Sequence, residues 1–173
     1  MSDVSDMELL RKYDQQGSEE AFAELVRRHL NLVYSAALRH VGIAALAEEI
    51  SQAVFVILAR KAGRLHRNTI LEGWLYETTR LTALTFMRGE RRRQRREQEA
   101  FMQSRLQGPD EVSTWNQLAP LLDKSMSRLG KKDRDAVILR FFKDKNLAEV
   151  ATALHVSDSA AQRRVHRALE KLR

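Results

Sequence analysis

The 173-residue chain contains no cysteine, which removes disulfides, thiolate nucleophiles and every cysteine-based zinc site. It has only seven glycines and two prolines, Pro109 and Pro120, so there is little material for turns between strands and the expectation is all-α. No apolar run approaches the roughly 18 residues that a membrane span needs. Met1–Asp6 is acidic rather than a charged-then-apolar leader, which argues for a cytoplasmic protein. Enzyme signatures are missing too: no Gly-rich phosphate loop, no His-Glu-x-x-His, no nucleophile elbow. The five histidines, His29, His40, His66, His155 and His166, are scattered without metal-ligand spacing. Neither catalysis, nor a cofactor, nor a metal is expected.

What is present is positive charge, unevenly placed. The net charge is +7 and the sequence pI about 10.0, on a globular balance of 43% apolar and 31% charged residues. Residues 1–87 carry −1, residues 88–107 carry +4, residues 108–122 carry −2 and residues 123–173 carry +6. Two basic patches separated by an acidic stretch suit a long polyanion touched at two places. Two solvated helix faces would give the same charge map.

The hydrophobic pattern is helical throughout. Asp6 stands before a short run, Met7 to Gln15, closed by Gly17. Ser18 is placed to cap a second helix on which Leu25, His29, Leu32, Val33 and Ala36 share a face, ended by Gly42. A third helix from about Leu46 to Ala62 carries Leu46, Ala47, Ile50, Val54, Ile57 and Leu58 as its apolar arc. The fourth begins near Leu71, with Trp74, Leu75, Thr78, Leu81 and Thr85 as the expected inner stripe, and runs into six arginines between Arg88 and Arg96. Gly108-Pro109-Asp110-Glu111 breaks the pattern, and helices follow near Trp115–Leu129, Lys132–Phe142, Leu147–Leu154 and Asp158–Leu172. The fold expected is therefore two small all-α domains, 1–106 and 115–173, joined by a flexible linker at 107–114. The pattern continues to Arg173 with no Gly stop, as it would in a piece of a longer chain.

Three constellations could carry function. Asn146-Leu147-Ala148-Glu149 has capping-box spacing, His155-Val156-Ser157 turns the chain, and Ser157 caps a helix with Ala161, Val165, Ala168, Leu169 and Leu172 inward. Its outer face presents Ser159, Ala160, Arg163, His166 and Arg167, a helix-turn-helix arrangement; an ordinary helical hairpin is the plainer reading. The arginine run continues a packed helix, so its charges are held on a fixed element, with Trp74 and Tyr76 upstream as groups on which single-stranded bases could stack. Trp74 itself falls on the inner stripe, and for it core is the better reading. On the third helix, Glu48, Glu49, Gln52, Ala53, Val56 and Arg60 lie opposite the apolar arc and form a docking surface rather than a catalytic pair. Favourable charge at a helix N-terminus explains the two glutamates but not Gln52 or Val56.

In that order and spacing the pieces resemble an extracytoplasmic-function sigma factor of the sigma-70 family. Met7-Glu8-Leu9-Leu10 with Gly17-Ser18-Glu19-Glu20-Ala21-Phe22 is similar to the opening of the family's second region. Ala47-Glu48-Glu49-Ile50-Ser51-Gln52-Ala53-Val54-Phe55 resembles its polymerase-clamp motif, and Gly73-Trp74-Leu75-Tyr76 its minus-ten helix. Glu149-Val150-Ala151 through Ser157, with Arg167-Ala168-Leu169, is similar to its minus-thirty-five helix-turn-helix. The departures are Glu49 for the usual aspartate, Ala53 for glutamate, Leu81 and Thr85 for polar residues, His155 for the turn glycine, and Ala160-Ala161 for Thr-Val.

The resemblance implies partners and residues. Core RNA polymerase would dock on Glu48, Glu49, Gln52, Ala53 and Val56. The minus-ten element, melted to its non-template strand, would be held by Trp74, Tyr76, Arg80, Arg88, Arg91, Arg92 and Arg95. The minus-thirty-five duplex would be read by Ser157, Ser159, Ala160, Arg163, Arg164, His166 and Arg167. The acidic stretch Gln107 to Val112 would thread toward the polymerase cleft, and an anti-sigma protein is a further expected partner. Two other classes stay open: a stand-alone helix-turn-helix regulator, which would bind a palindrome as a dimer, and a helical adaptor with no nucleic-acid role.

Overall fold

The computed structural model describes residues 4–100 and 114–172. Among them every regular element is helical: α1 (Asp6–Gln16), α2 (Glu19–Val41), α3 (Ala44–Lys61), α4 (Leu71–Ala100), α5 (Thr114–Arg128), α6 (Lys131–Val137), α7 (Leu147–Leu154) and α8 (Asp158–Leu172). A 3₁₀ turn, Ala62–Arg64, follows α3, and a π turn, Ile138–Phe142, extends α6. Of the linker expected at 107–114, residues 107–113 lie outside the described residues.

Local chemistry explains the boundaries. Gly17 and Gly42 end α1 and α2 in the left-handed conformation, at φ 65° and 69°, as their positions in the sequence predict. Ser18 accepts from the Ala21 N–H and caps α2. Helix α1 begins at Asp6, one residue before the run read from the sequence, and Ser5 caps it in a capping box with Glu8. Asp6 reaches across to α2, where its carboxylate lies 3.0 Å from Arg28 Nη1 and 2.7 Å from the buried His29 Nε2. Burial alone would raise the Asp6 pKa, but the His29 and Arg28 contacts outweigh it and hold the carboxyl below its ordinary value.

Helices α1–α4 close around Leu10, Leu25, Val33, Ile50, Val54, Leu58, Leu71, Leu75 and Ala83. The arc read from the sequence of α3 is correct at Ala47, Ile50, Val54 and Leu58, all wholly buried, while Ile57 and Leu46 are half-buried. The stripe expected on α4 is not the one observed: Leu75, Tyr76, Thr79 and Ala83 are buried, whereas Leu81 is 51% exposed and Thr85 faces solvent. The reason is that α4 is covered on two adjacent faces. Leu71, Leu75 and Ala83 point into the α1–α4 core, and Tyr76 points into a second cluster.

That second cluster joins the two halves of the chain. Leu32 and Ala36 of α2 and Tyr76 of α4 pack with Met126 of α5, Leu129 just beyond it, Val137 of α6, Ile138 of the π turn and Ala168 of α8. A third cluster, Ala136, Leu139, Val150, Ala151, Ala161 and Val165, belongs to the α5–α8 half, with Ile70 from the loop before α4 leaning on it. Leu169, expected on the inner stripe of α8, is 39% exposed.

Candidate binding surfaces

The α3 face proposed for docking is exposed at Glu48, Glu49, Gln52 and Val56, with Ala53 half-buried among them. The structure divides it between two grooves. Glu48, Gln52 and Val56 edge an open apolar groove of about 980 Å³ between α2 and α3, whose other wall is Phe22, Val26, Leu30 and Tyr34. Glu49 turns the other way, into a groove of about 560 Å³ with Ile43, Leu46, Phe86 and Arg91. Val56 at 49% and Leu30 at 46% exposure leave a large apolar strip in water. The α2 wall was missed from sequence. Its signal is a second stripe of four-residue spacing, Phe22, Val26, Leu30 and Tyr34, beside the stripe that builds the core.

Along α4 the candidate nucleic-acid residues separate into two groups. Trp74 is half-buried against the α1–α4 core. Tyr76 is wholly buried and donates a hydrogen bond of 2.8 Å to Asp123 Oδ1 of α5, with its ring edge-on to Phe142 at 5.8 Å. Burial, then Asp123, push its hydroxyl above the ordinary tyrosine range. Arg80 is half-buried and paired with Glu77 at 2.6 Å. Arg88, Arg91, Arg92 and Arg95 are exposed and, at i, i+3, i+4 and i+7, share one face of the helix. Leu81 and Thr85 extend the same face toward the N-terminus, while Arg93 is occupied by Glu90 at 2.9 Å. The result is a fixed ribbon of one sign, apolar at one end, on a helix of 30 residues.

The second basic surface is the α7–turn–α8 unit. Asn146 and Glu149 form the capping box that their spacing predicts. His155 takes the left-handed position after α7, at φ 53°, where a glycine is usual. Ser157 accepts from the Ala160 N–H at 3.3 Å and opens α8. Ser157, Ser159, Arg163, His166 and Arg167 are exposed, Ala160 and Arg164 half-buried. Asp133 of α6, not singled out from sequence, gathers three cations of α8: Lys171 at 2.9 Å, Arg167 at 3.5 Å and Arg164 at 3.6 Å. It ties α8 to α6, and Arg163 has no ion pair among the described residues.

Among the described residues no group of three His, Asp or Glu side chains could hold a metal ion, and no helix is long and apolar enough to cross a membrane.

Comparison with known proteins follows the same division. The model of Sigma-70 region 2 matches residues 25–93, and that of Sigma-70 region 4 matches residues 120–172. The RNA polymerase sigma factor CarQ of Myxococcus xanthus is 32% identical over 160 residues, covering 91% of this chain and 90% of that protein. The RNA polymerase sigma factor NccH of Alcaligenes xylosoxydans is 31% identical, covering 99% of this chain and 95% of that one. Among solved structures, the sigma factor RpoE of Bartonella quintana in complex with the anti-sigma factor NepR is similar over 88% of this chain and 94% of that one, with 18% identity and a TM-score of 0.45.

Proposed function

The chain belongs to the sigma-70 family as an extracytoplasmic-function RNA polymerase sigma factor, and from that premise we propose how its residues divide the work. It acts by binding, directing core polymerase to promoters. The observation that carries the division is that one rigid α1–α4 core presents two different surfaces. One is the apolar α2–α3 groove edged by Glu48 and Gln52; the other is the basic α4 ribbon of Arg88, Arg91, Arg92 and Arg95.

Core RNA polymerase docks on the groove, with Val56 and Leu30 giving the apolar contact and Glu48 and Gln52 the polar edge; Glu49 and Ala53 lie at its flank. An anti-sigma protein would compete for the same strip. The α4 ribbon, with Trp74 and Arg80 upstream, holds the melted minus-ten strand through phosphate contacts and stacking. Tyr76 joins that surface only when the α5–α8 half is displaced. Helix α8 enters the minus-thirty-five major groove N-terminus first, so Ser159, Ala160 and Arg163 approach base edges, with Ser157, His166 and Arg167 nearer phosphate and Arg164 behind them. The domains are taken as 1–106 and 115–173, with 107–114 between them, and work on chromosomal promoters puts the protein in the cytoplasm.

Replacing Leu30 and Val56 together by lysine tests the docking assignment. Both are exposed, so helicity and melting stay nearly unchanged, within about 0.5 kcal/mol per site. Co-purification with core polymerase is lost. Retention of the enzyme by the doubly charged variant would overturn the groove as the docking site.

A further inference from the structure

Leu81 stands at the apolar end of the α4 ribbon, 51% exposed. At about 100° per residue, Leu81, Thr85, Arg88, Arg92 and Arg95 fall within about 80° of one another around the helix. We propose that Leu81 recognises the 5-methyl group of a thymine in the melted strand, so that this chain prefers thymine at one position of the minus-ten element. The inference deepens the sigma-factor reading and rests on it for the identity of the strand.

Lengths bring a base to Leu81. It lies seven residues before Arg88, or about 10 Å along the axis, and Arg95 stands the same distance beyond. At about 3.4 Å per nucleotide of a stacked strand, the arginines span about three nucleotides and Leu81 lies about three further on. A strand whose phosphates lie on Arg88, Arg92 and Arg95, and which continues along the helix, passes over Leu81.

The chemistry around Leu81 decides what it can distinguish. Its own side chain has no hydrogen-bonding group and no ring on which a base could stack. Its neighbours at three and four residues on the helix are Glu77, Thr78, Leu84 and Thr85. Glu77 is paired with Arg80 at 2.6 Å and lies 3.3 Å from Arg134, so its charge is balanced and does not repel the strand. Thr85 donates its hydroxyl proton to the Leu81 carbonyl at 3.0 Å. Leu84 is apolar, and Thr78 adds one hydroxyl and one methyl.

A base edge at this end of the ribbon therefore meets little hydrogen bonding and much apolar surface. Of the four bases only thymine carries an apolar substituent, its 5-methyl group. Expelling water from between that methyl and Leu81 favours thymine. An amino group set against the same leucine loses its water and gains no partner. A single exposed leucine is ordinary on a protein surface. One in line with a row of arginines sits where the strand passes.

The test removes the methyl and nothing else. Each thymine in the minus-ten segment of the non-template strand, in a promoter that the chain transcribes, is replaced singly by deoxyuridine, which pairs as thymine does. Holoenzyme formed from core polymerase and the full chain is assayed by run-off transcription. One position loses activity about fourfold, the value of one buried methyl, and the others change little. Leu81→Ala, at an exposed helical site that alanine suits, abolishes the difference at that position, while Leu81→Met retains it. Arg88→Ala lowers transcription from both templates alike.

Sensitivity at no position, or a difference that survives Leu81→Ala, overturns the proposal. A second arm needs no polymerase, because the ribbon is exposed in the free chain. The free chain binds oligothymidylate more tightly than oligodeoxyuridylate of the same length, and Leu81→Ala binds the two equally. Should no template give a transcript that depends on the chain, the sigma-factor reading fails. The oligonucleotides then decide the methyl contact alone, and equal binding by the unmodified chain overturns it.

Discussion

The Tyr76 hydroxyl of α4 donates a 2.8 Å hydrogen bond to the Asp123 carboxylate of α5, and both side chains are buried, at 0% and 4% exposure. One bond thus ties the helix proposed to hold the melted strand to the half proposed to read the duplex. Tyr76→Phe keeps the ring against Phe142 and removes the donor, leaving a buried carboxylate oxygen unpaired. The expected loss is about 1–3 kcal/mol, with Tm falling by about 2–4 °C for each kcal/mol. An unchanged melting curve would mean that the hydroxyl is not spent on Asp123.

Asp135 makes stability depend on pH. Burial, opposed by Lys131 and Arg134 of its own helix and reinforced by Glu72 of α4, pushes its carboxyl up to about 6. A raised acid stabilises the folded form fully in the protonated state and loses that contribution as pH rises through about 6. His40 works in the opposite direction, since burial holds it below the ordinary histidine value and charging it in acid opposes packing. The variant Asp135→Asn isolates the first effect: more stable than wild type at pH 7.5 by on the order of 2 kcal/mol, and equal to it near pH 4. Parallel Tm curves for the two proteins across that range would contradict the assignment.

His155 sits at φ 53° with a β-carbon that this region disfavours. His155→Gly relieves about 1 kcal/mol at the turn between α7 and α8. Thermal melting checks it, and a loss of stability would show that the His155 side chain contributes more than its backbone costs.

The two basic surfaces have different expected phenotypes. Neutralising Arg91, Arg92 and Arg95 impairs strand opening, seen as lost permanganate reactivity of melted thymines with upstream protection retained. Arg93→Ala, on a residue already paired with Glu90, changes opening little. Arg163→Ala costs about 1–3 kcal/mol and relaxes preference at one upstream base pair, whereas Arg167→Ala weakens all promoters alike and lowers the salt slope by about one. Equal effects of every arginine on both steps would reduce the two surfaces to diffuse attraction.

Much of this was legible in the sequence where the cause is local. Gly17, Gly42, the Asn146–Glu149 box and the Ser157 cap act within four residues, and each stands where its spacing put it. The α1 run was read from Met7, one residue after its observed start at Asp6. Nothing local reveals that Asp6 is engaged by Arg28 and His29, 22 and 23 residues away. The inner stripe of α4 was misplaced for a related reason: a helix buried on two sides by partners distant in sequence has no single 3.6-residue stripe. The exposed rows that follow a simple period, Glu48 to Val56 and Arg88 to Arg95, were found from sequence. Asp133 was not, because its role exists only once α6 and α8 are packed.

The central claim is that this chain confers promoter choice on core polymerase. Run-off transcription from a promoter library, with core enzyme alone and with the chain added, tests it most directly. Discrete transcripts that require the chain are expected, and they vanish with the Leu30 and Val56 lysine variant. Transcripts unchanged by the chain, or tight binding of the isolated protein to a palindrome as a dimer, would contradict it.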